Sequence, residues 1–103
     1  MKPFFIVNPA AGRKSLGHSW PALKEALSAA LGPVAHRMTR GPHDAENATQ
    51  QALKEGFDLI VAVGGDGTLN DCLNGFIQND RPINRHAALG VLPYGTGGDF
   101  ARY

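Results

Sequence analysis

Three short stretches hold the residues best able to do chemistry: Asn8-Pro9-Ala10-Ala11-Gly12-Arg13-Lys14, Gly64-Gly65-Asp66-Gly67-Thr68 and Pro93-Tyr94-Gly95-Thr96-Gly97-Gly98-Asp99. Glycines let main-chain N–H groups turn toward a ligand with no Cβ in the way. A helix starting just after such a loop adds the partial positive charge of its amino terminus, and phosphate is the natural guest. Arg13 and Lys14 would add full positive charge. Thr68 and Thr96 can bond phosphate oxygens, or simply cap helices. Asp66 and Asp99 would repel a phosphate unless a cation stands between, and a carboxylate in that position can hold Mg²⁺ directly or through water. The ordinary alternative for Asp66 is a turn residue bonding its own backbone; for Asp99 it is a helix cap. The place of Asp66 between glycines, after an apolar run, favours the chemical reading.

Such loops act together only if secondary structure gathers them. Phe4-Phe5-Ile6-Val7 is a short apolar run closed by Asn8-Pro9 and reads as a buried strand. Ser19 is placed to cap a helix with Trp20, Leu23, Ala26, Leu27, Ala30 and Leu31 on one side, stopped by Gly32-Pro33. Residues 34–39 read as a second, weaker strand. Asp44 is expected to cap a helix with Ala45, Ala48, Ala52 and Leu53 on one stripe, ended by Gly56. Leu59-Ile60-Val61-Ala62-Val63 is a strand covered on both faces. A third helix, beginning near Thr68, shows Leu69, Cys72, Leu73, Phe76 and Ile77 at helical spacing before Asn79-Asp80-Arg81-Pro82 breaks it. Ala87-Ala88-Leu89-Gly90-Val91-Leu92 is the fourth strand.

Strands alternating with helices are parallel, joined by right-handed crossovers. All carboxyl ends of a parallel sheet lie on one edge, and ligands bind in the crevice outside it. The three loops follow the three strongest strands, so the topology predicts that they meet on one side of the molecule.

Composition narrows the classes further. The chain has 103 residues, which is one domain at most, with 43% hydrophobic and 18% charged residues, enough for a core. Thirteen residues are glycine, and eight of them fall in the last 40 positions. The net charge of +1 does not argue for nucleic acid. It conceals a division into a basic first segment (1–40), an acidic middle (41–80) and a weakly basic end, which the ordinary reading assigns to solvated helix faces. A single cysteine excludes an internal disulfide framework. No apolar run reaches the roughly 20 residues of a membrane helix. The amino terminus lacks a secretory signal, so a cytoplasmic location is expected. The ending Asp99-Phe100-Ala101-Arg102 reads as a first helical turn. The chain is therefore expected to be part of a longer protein, with exposed apolar surface and a tendency to self-associate.

Other motifs fall away on inspection. Gly65-Asp66-Gly67 opens like a dinucleotide fingerprint, but Asn70 stands at the third glycine position. Gly12-Arg13-Lys14-Ser15 lacks the remainder of a P-loop. Asn47-Ala48-Thr49 matches a glycosylation acceptor but sits inside an expected helix. The four histidines are scattered, with His36 on a strand and His43 at a helix start; Cys72 and Trp20 read as core anchors.

With the loops set side by side, the chain resembles the amino-terminal part of the diacylglycerol kinase catalytic domain family, which includes bacterial lipid kinases, sphingosine kinases and ceramide kinases. Asn8-Pro9-Ala10-Ala11-Gly12-Arg13 is similar to its first motif, Gly64-Gly65-Asp66-Gly67-Thr68-Leu69-Asn70 to its signature, and Pro93-Tyr94-Gly95-Thr96-Gly97-Gly98-Asp99-Phe100-Ala101-Arg102 to its third motif. Two positions depart from the family: Asp71 where it has Glu, and Gly98 where it usually has Asn. The middle motif is shared with NAD kinases and phosphofructokinases; the third, at this distance, favours the lipid kinases.

The resemblance implies a three-layer α/β domain with a parallel, Rossmann-like sheet of the NAD kinase/diacylglycerol kinase type. It implies ATP and Mg²⁺ as cofactors and transfer of the γ-phosphoryl to a lipid hydroxyl. Thr39, Gly65, Asp66, Gly67, Thr68, Leu69, Asn70, Asp71 and Thr96 would contact ATP, with Asp66 nearest the phosphates and the metal, through water. Asn8, Gly12, Arg13, Gly64, Gly95 and Gly97 complete the expected nucleotide set. A second, β-rich domain would supply much of the lipid pocket and an aspartate general base. Membrane contact would be transient. Two other readings stay open at this stage: an NAD- or sugar-directed kinase using the same loop, and a binding or regulatory module without turnover.

Overall fold

The computed structural model describes residues 1–11 and 15–93. In chain order these form β1 (Pro3–Val7), α1 (Ser15–Leu31), β2 (Ala35–Met38), α2 (Asp44–Lys54), β3 (Leu59–Gly64), α3 (Asp66–Asn74), β4 (Ile77–Gln78), β5 (Arg81–Pro82) and β6 (Ala88–Pro93). Four strands make one parallel sheet in the order β2-β1-β3-β6. The expected α/β class and parallel sheet are therefore present.

Alternation along β1 and β3 divides the core in two, because successive side chains of a strand point to opposite faces. Ile6, Ile60 and Ala62 pack on one face against Ala45, Ala48, Ala52 and Leu53 of α2 and Cys72 of α3. Phe5, Val7, Val61 and Val63 pack on the other against Leu16 and Trp20 of α1. The result is helix, sheet, helix in three layers. Ile6, Ile60, Val7 and Val63 are fully buried, and burial of side chains this size stabilises by about 1.5–3 kcal/mol each. Continuous apolar runs were needed because the central strands meet helices on both sides.

Local departures from the sequence-based expectation have physical causes. Helix α1 begins at Ser15, a turn before Ser19, and runs through Pro21. Leu16 is fully buried in the second core, and that packing extends the helix past a residue that cannot donate to the Gly17 carbonyl. Helix α2 starts at Asp44, but Asp44 is not its cap: His43 takes that position with φ 65° and no side-chain hydrogen bond. Helix α3 starts at Asp66, ahead of Thr68, and ends at Asn74. Leu73 and Ile77 are consequently exposed, at 54% and 48%. Ile77 belongs to a short hairpin pairing Ile77 with Pro82 and Gln78 with Arg81. Asn79 and Asp80 turn it with φ 54° and 62°, the paired positive φ of a two-residue hairpin turn.

Helices α2 and α3 meet through small residues. A Cβ built on Gly75 would lie 2.6 Å from the Glu46 carbonyl oxygen and 2.7 Å from Thr49 Cβ. Thr49 and Cys72 are both fully buried here. Burial pushes the Cys72 thiol up to about 11; the nearby Thr49 hydroxyl opposes this shift, and the Asp71 charge adds to it. The Thr49–Cys72 approach falls short of hydrogen-bond geometry, since Thr49 Oγ1 has no partner among the described residues.

Two outcomes follow from this packing. Gly75→Ala should destabilise the fold by about 2 kcal/mol, lowering the melting temperature by roughly 10 °C, whereas Gly41→Ala, with open space around it, should leave the melt unchanged. Cys72 should resist a thiol reagent at pH 8 in the native chain and react promptly in denaturant, because the thiolate is the reacting species.

Candidate functional site

Strand β1 ends at Val7, and the chain turns at Asn8. The Asn8 N–H donates to the Val63 carbonyl at 3.0 Å, which carries the β1–β3 pairing one residue beyond the strand. Its Oδ1 accepts from the Ala10 N–H at 3.0 Å, and its carbonyl accepts from the Ala11 N–H at 3.1 Å. The side chain thus builds the turn that an Asn-Pro sequence favours. On the other flank the Thr39 N–H donates to the Val7 carbonyl at 2.8 Å. Thr39 and Gly64 therefore stand on either side of Asn8 at one edge of the sheet.

Gly64 leads directly into α3. A Cβ at this position would lie 2.7 Å from Thr68 Oγ1 and 3.3 Å from Asn8 Cβ, and its φ is +155°. Gly65 precedes the helix as its cap and offers no side-chain hydrogen bond. The first N–H groups of a helix have no intrahelical acceptor, so those at the start of α3 face outward with the positive end of its dipole.

These elements enclose a cleft of about 740 Å³. Its walls include Asn8, Pro9, Ala10 and Ala11 after β1, Thr39, Arg40, Gly41 and Pro42 after β2, and Gly65, Gly67, Thr68, Asn70 and Asp71 at α3. Of the residues expected to bind nucleotide, the structure brings Asn8, Thr39, Gly65, Gly67, Thr68, Asn70 and Asp71 around this one space. Gly64 is buried beneath it. Asp66, the first residue of α3, is exposed and is not a wall residue, and neither is Leu69, which packs against the core. Gly12, Arg13, Gly95, Thr96 and Gly97, like Lys14, Gly98 and Asp99, lie outside the described residues. The third loop follows β6, whose Pro93 pairs in parallel with Gly64, so that strand too ends on the cleft edge.

Sequence reasoning passed over Arg40, Gly41, Pro42 and Ala45. The available signal was positional: residues 40–42 follow the second strand and so occupy the same sheet edge as the glycine loops. Among the described wall residues only Arg40 and Asp71 carry charge. The arrangement can accept an elongated anion, with main-chain donors at one end, hydroxyl and amide side chains along it, and one guanidinium. No three His, Cys, Asp or Glu side chains come together as a metal cage among the described residues.

Residues 2–103 match the diacylglycerol kinase catalytic domain family, and the chain belongs to that family. It is 36% identical over 97 residues to the diacylglycerol kinase of Bacillus subtilis and 37% identical over 98 residues to that of Staphylococcus haemolyticus. Both alignments cover 94% of this chain, but only 31% and 28% of those proteins. The crystal structure of a diacylglycerol kinase from Bacillus anthracis str. Sterne superposes with a TM-score of 0.71 at 33% identity, covering 95% of this chain and 34% of that one. The chain thus spans about a third of the length of these relatives.

Substitution at Gly64 tests the construction of the cleft. Gly64→Ala should push Thr68 and Asn8 apart, shifting their backbone amide resonances and costing about 2 kcal/mol of stability. Gly65→Ala, one residue on and in open space, should preserve both; equal effects at the two positions would rule out the close approach.

Proposed function

We propose that this chain is the nucleotide-binding part of an ATP-dependent lipid kinase, which moves the γ-phosphoryl of ATP to a lipid hydroxyl. The observation that supports this reading is the convergence of three strand ends and the uncapped amino terminus of α3 on one cleft, in a member of the diacylglycerol kinase catalytic domain family.

Phosphoryl transfer needs positioning and charge stabilisation more than covalent chemistry from the protein. Main-chain N–H groups at residues 65–68 would hold phosphate oxygens, with the Thr68 hydroxyl beside them. Asn8 and Thr39 would line the remainder of the nucleotide. By family resemblance Gly12, Arg13, Gly95, Thr96 and Gly97 join this set. Mg²⁺ usually keeps several waters and takes one or two carboxylates with substrate phosphates, and Asp71 in the cleft wall with Asp66 at its rim suits that demand through water. When bound, the ion would neutralise charge on the transferring group. The general base and most of the lipid pocket belong to a second domain in this reading. Contact with the membrane would then be transient; among the described residues no helix is long and apolar enough to cross one.

The test uses γ-labelled ATP with a panel of lipid alcohols, NAD and sugars. A polypeptide carrying this chain together with a β-rich second domain should place label in the organic phase, and label in NADP would assign it to NAD kinase chemistry. In that polypeptide Asp66→Ala should lower turnover by a hundredfold or more with unchanged circular dichroism, while full activity would remove Asp66 from the site. The 103 residues alone should bind nucleotide weakly and transfer nothing; robust lipid phosphorylation by them would refute the need for a second domain.

A further inference from the structure

The loop after β2 contains an arginine whose surroundings set it apart from the other basic residues described. Among the described residues Asp44, the first residue of α2, is the carboxylate engaged beside this loop. One of its oxygens accepts from the Arg37 guanidinium at 2.5 Å, and the other accepts from the main-chain N–H of Arg40 at 2.9 Å. The Asp44 side chain is largely shielded, at 15% exposure. The carboxylate is therefore used up on Arg37 and on the Arg40 backbone. The Arg40 guanidinium takes no hydrogen bond or ion pair among the described residues, although its backbone is fixed.

Arg40 belongs to the cleft wall. The sheet order puts β2 two strands from β3, so Arg40 stands roughly 10 Å across β1 from the amino terminus of α3. A long side chain with planar, forked donors spans much of such a gap and suits phosphate oxygens. Main-chain donors lie on one side and this cation on the other, and the described residues of the Asn8 turn between them (Asn8, Pro9, Ala10 and Ala11) are neutral.

Resting on the nucleotide-cleft reading above, we propose that Arg40 is a binding residue for the polyphosphate of the nucleotide, gripping it from the side opposite α3. Its backbone is anchored on Asp44, and among the described residues no ion pair engages the side chain, which leaves it for the ligand. Asp44 acts here as a positioning residue.

The test is a titration of the 103-residue chain followed by amide resonances, at concentrations where weak binding is measurable, with ATP, inorganic tripolyphosphate and adenosine as separate probes. In the wild type, ATP and tripolyphosphate should move the signals of Gly65, Gly67 and Thr68. Arg40→Ala should weaken both by about tenfold, with an unchanged melting temperature and unchanged response to adenosine. Arg40→Lys should recover part of the loss, and raised salt should narrow the difference between variants. Wild-type affinity for ATP and tripolyphosphate in Arg40→Ala would overturn the assignment of Arg40 and leave the cleft reading intact. An equal loss of adenosine would also overturn it, since charge would not be the cause. Absence of any ATP response in the wild type would overturn both.

Discussion

Two hydrogen bonds just past the end of β1 hold the candidate site together. Asn8 reaches Val63 on one side, and Thr39 reaches Val7 on the other. They extend the parallel ladder by one step and keep the exits of β2, β1 and β3 level. Parallel pairing is the constraint behind everything downstream. With β3 reversed, the loop at Gly65 would open on the opposite rim, and no common cleft would form. Neighbouring strands lie about 4.8 Å apart, so three adjacent exits make a trough of the breadth an extended phosphate chain needs.

The sheet holds this register because both of its faces are covered. One-residue slippage would transfer Ile6 and Ile60 from one core to the other and misfit both sets of packing. Helix α3 links this core to the cleft. Its inner side is anchored by Cys72, and Gly75 sits hard against α2. Its outer end starts so close to the sheet that Gly64 has no room for a side chain. The tight fit at both ends explains how a nine-residue helix can present a bare amino terminus in a defined direction. Propensity alone would not stabilise so short a helix.

Among the described residues charge in the cleft is sparse, and its placement matters more than its amount. Asp44 pairs with Arg37, and among the described residues the Arg40 side chain has no ion-pair partner, while Asp71 lies along α3 rather than at its tip. Main-chain donors supply the rest. A site built this way costs little to desolvate, since amides carry partial charges already oriented by the fold. On the proposed reading these few loops would hold the nucleotide, and catalysis on a second substrate would draw on surface beyond them.

The sequence by itself determined the class of fold, the four sheet strands and the loops at their ends. Runs such as Phe4 to Val7 and Leu59 to Val63 read as strands buried on both faces, and their alternation with helical segments makes the sheet parallel. Asn8 and the glycines at 64, 65 and 67 were legible because turn chemistry is local. Elsewhere tertiary structure decided. Helix α1 begins early because Leu16 finds a core pocket, which no local cap announces. The hairpin at residues 77–82 stands where the periodicity predicts the last turn of α3, and Gly75, at the end of the helix, packs against α2. Asp44 gave a capping signal, but Arg37, seven residues earlier, drew its carboxylate away. That choice placed Arg40 in the cleft, and it depends on distances between strands that no stretch of sequence contains.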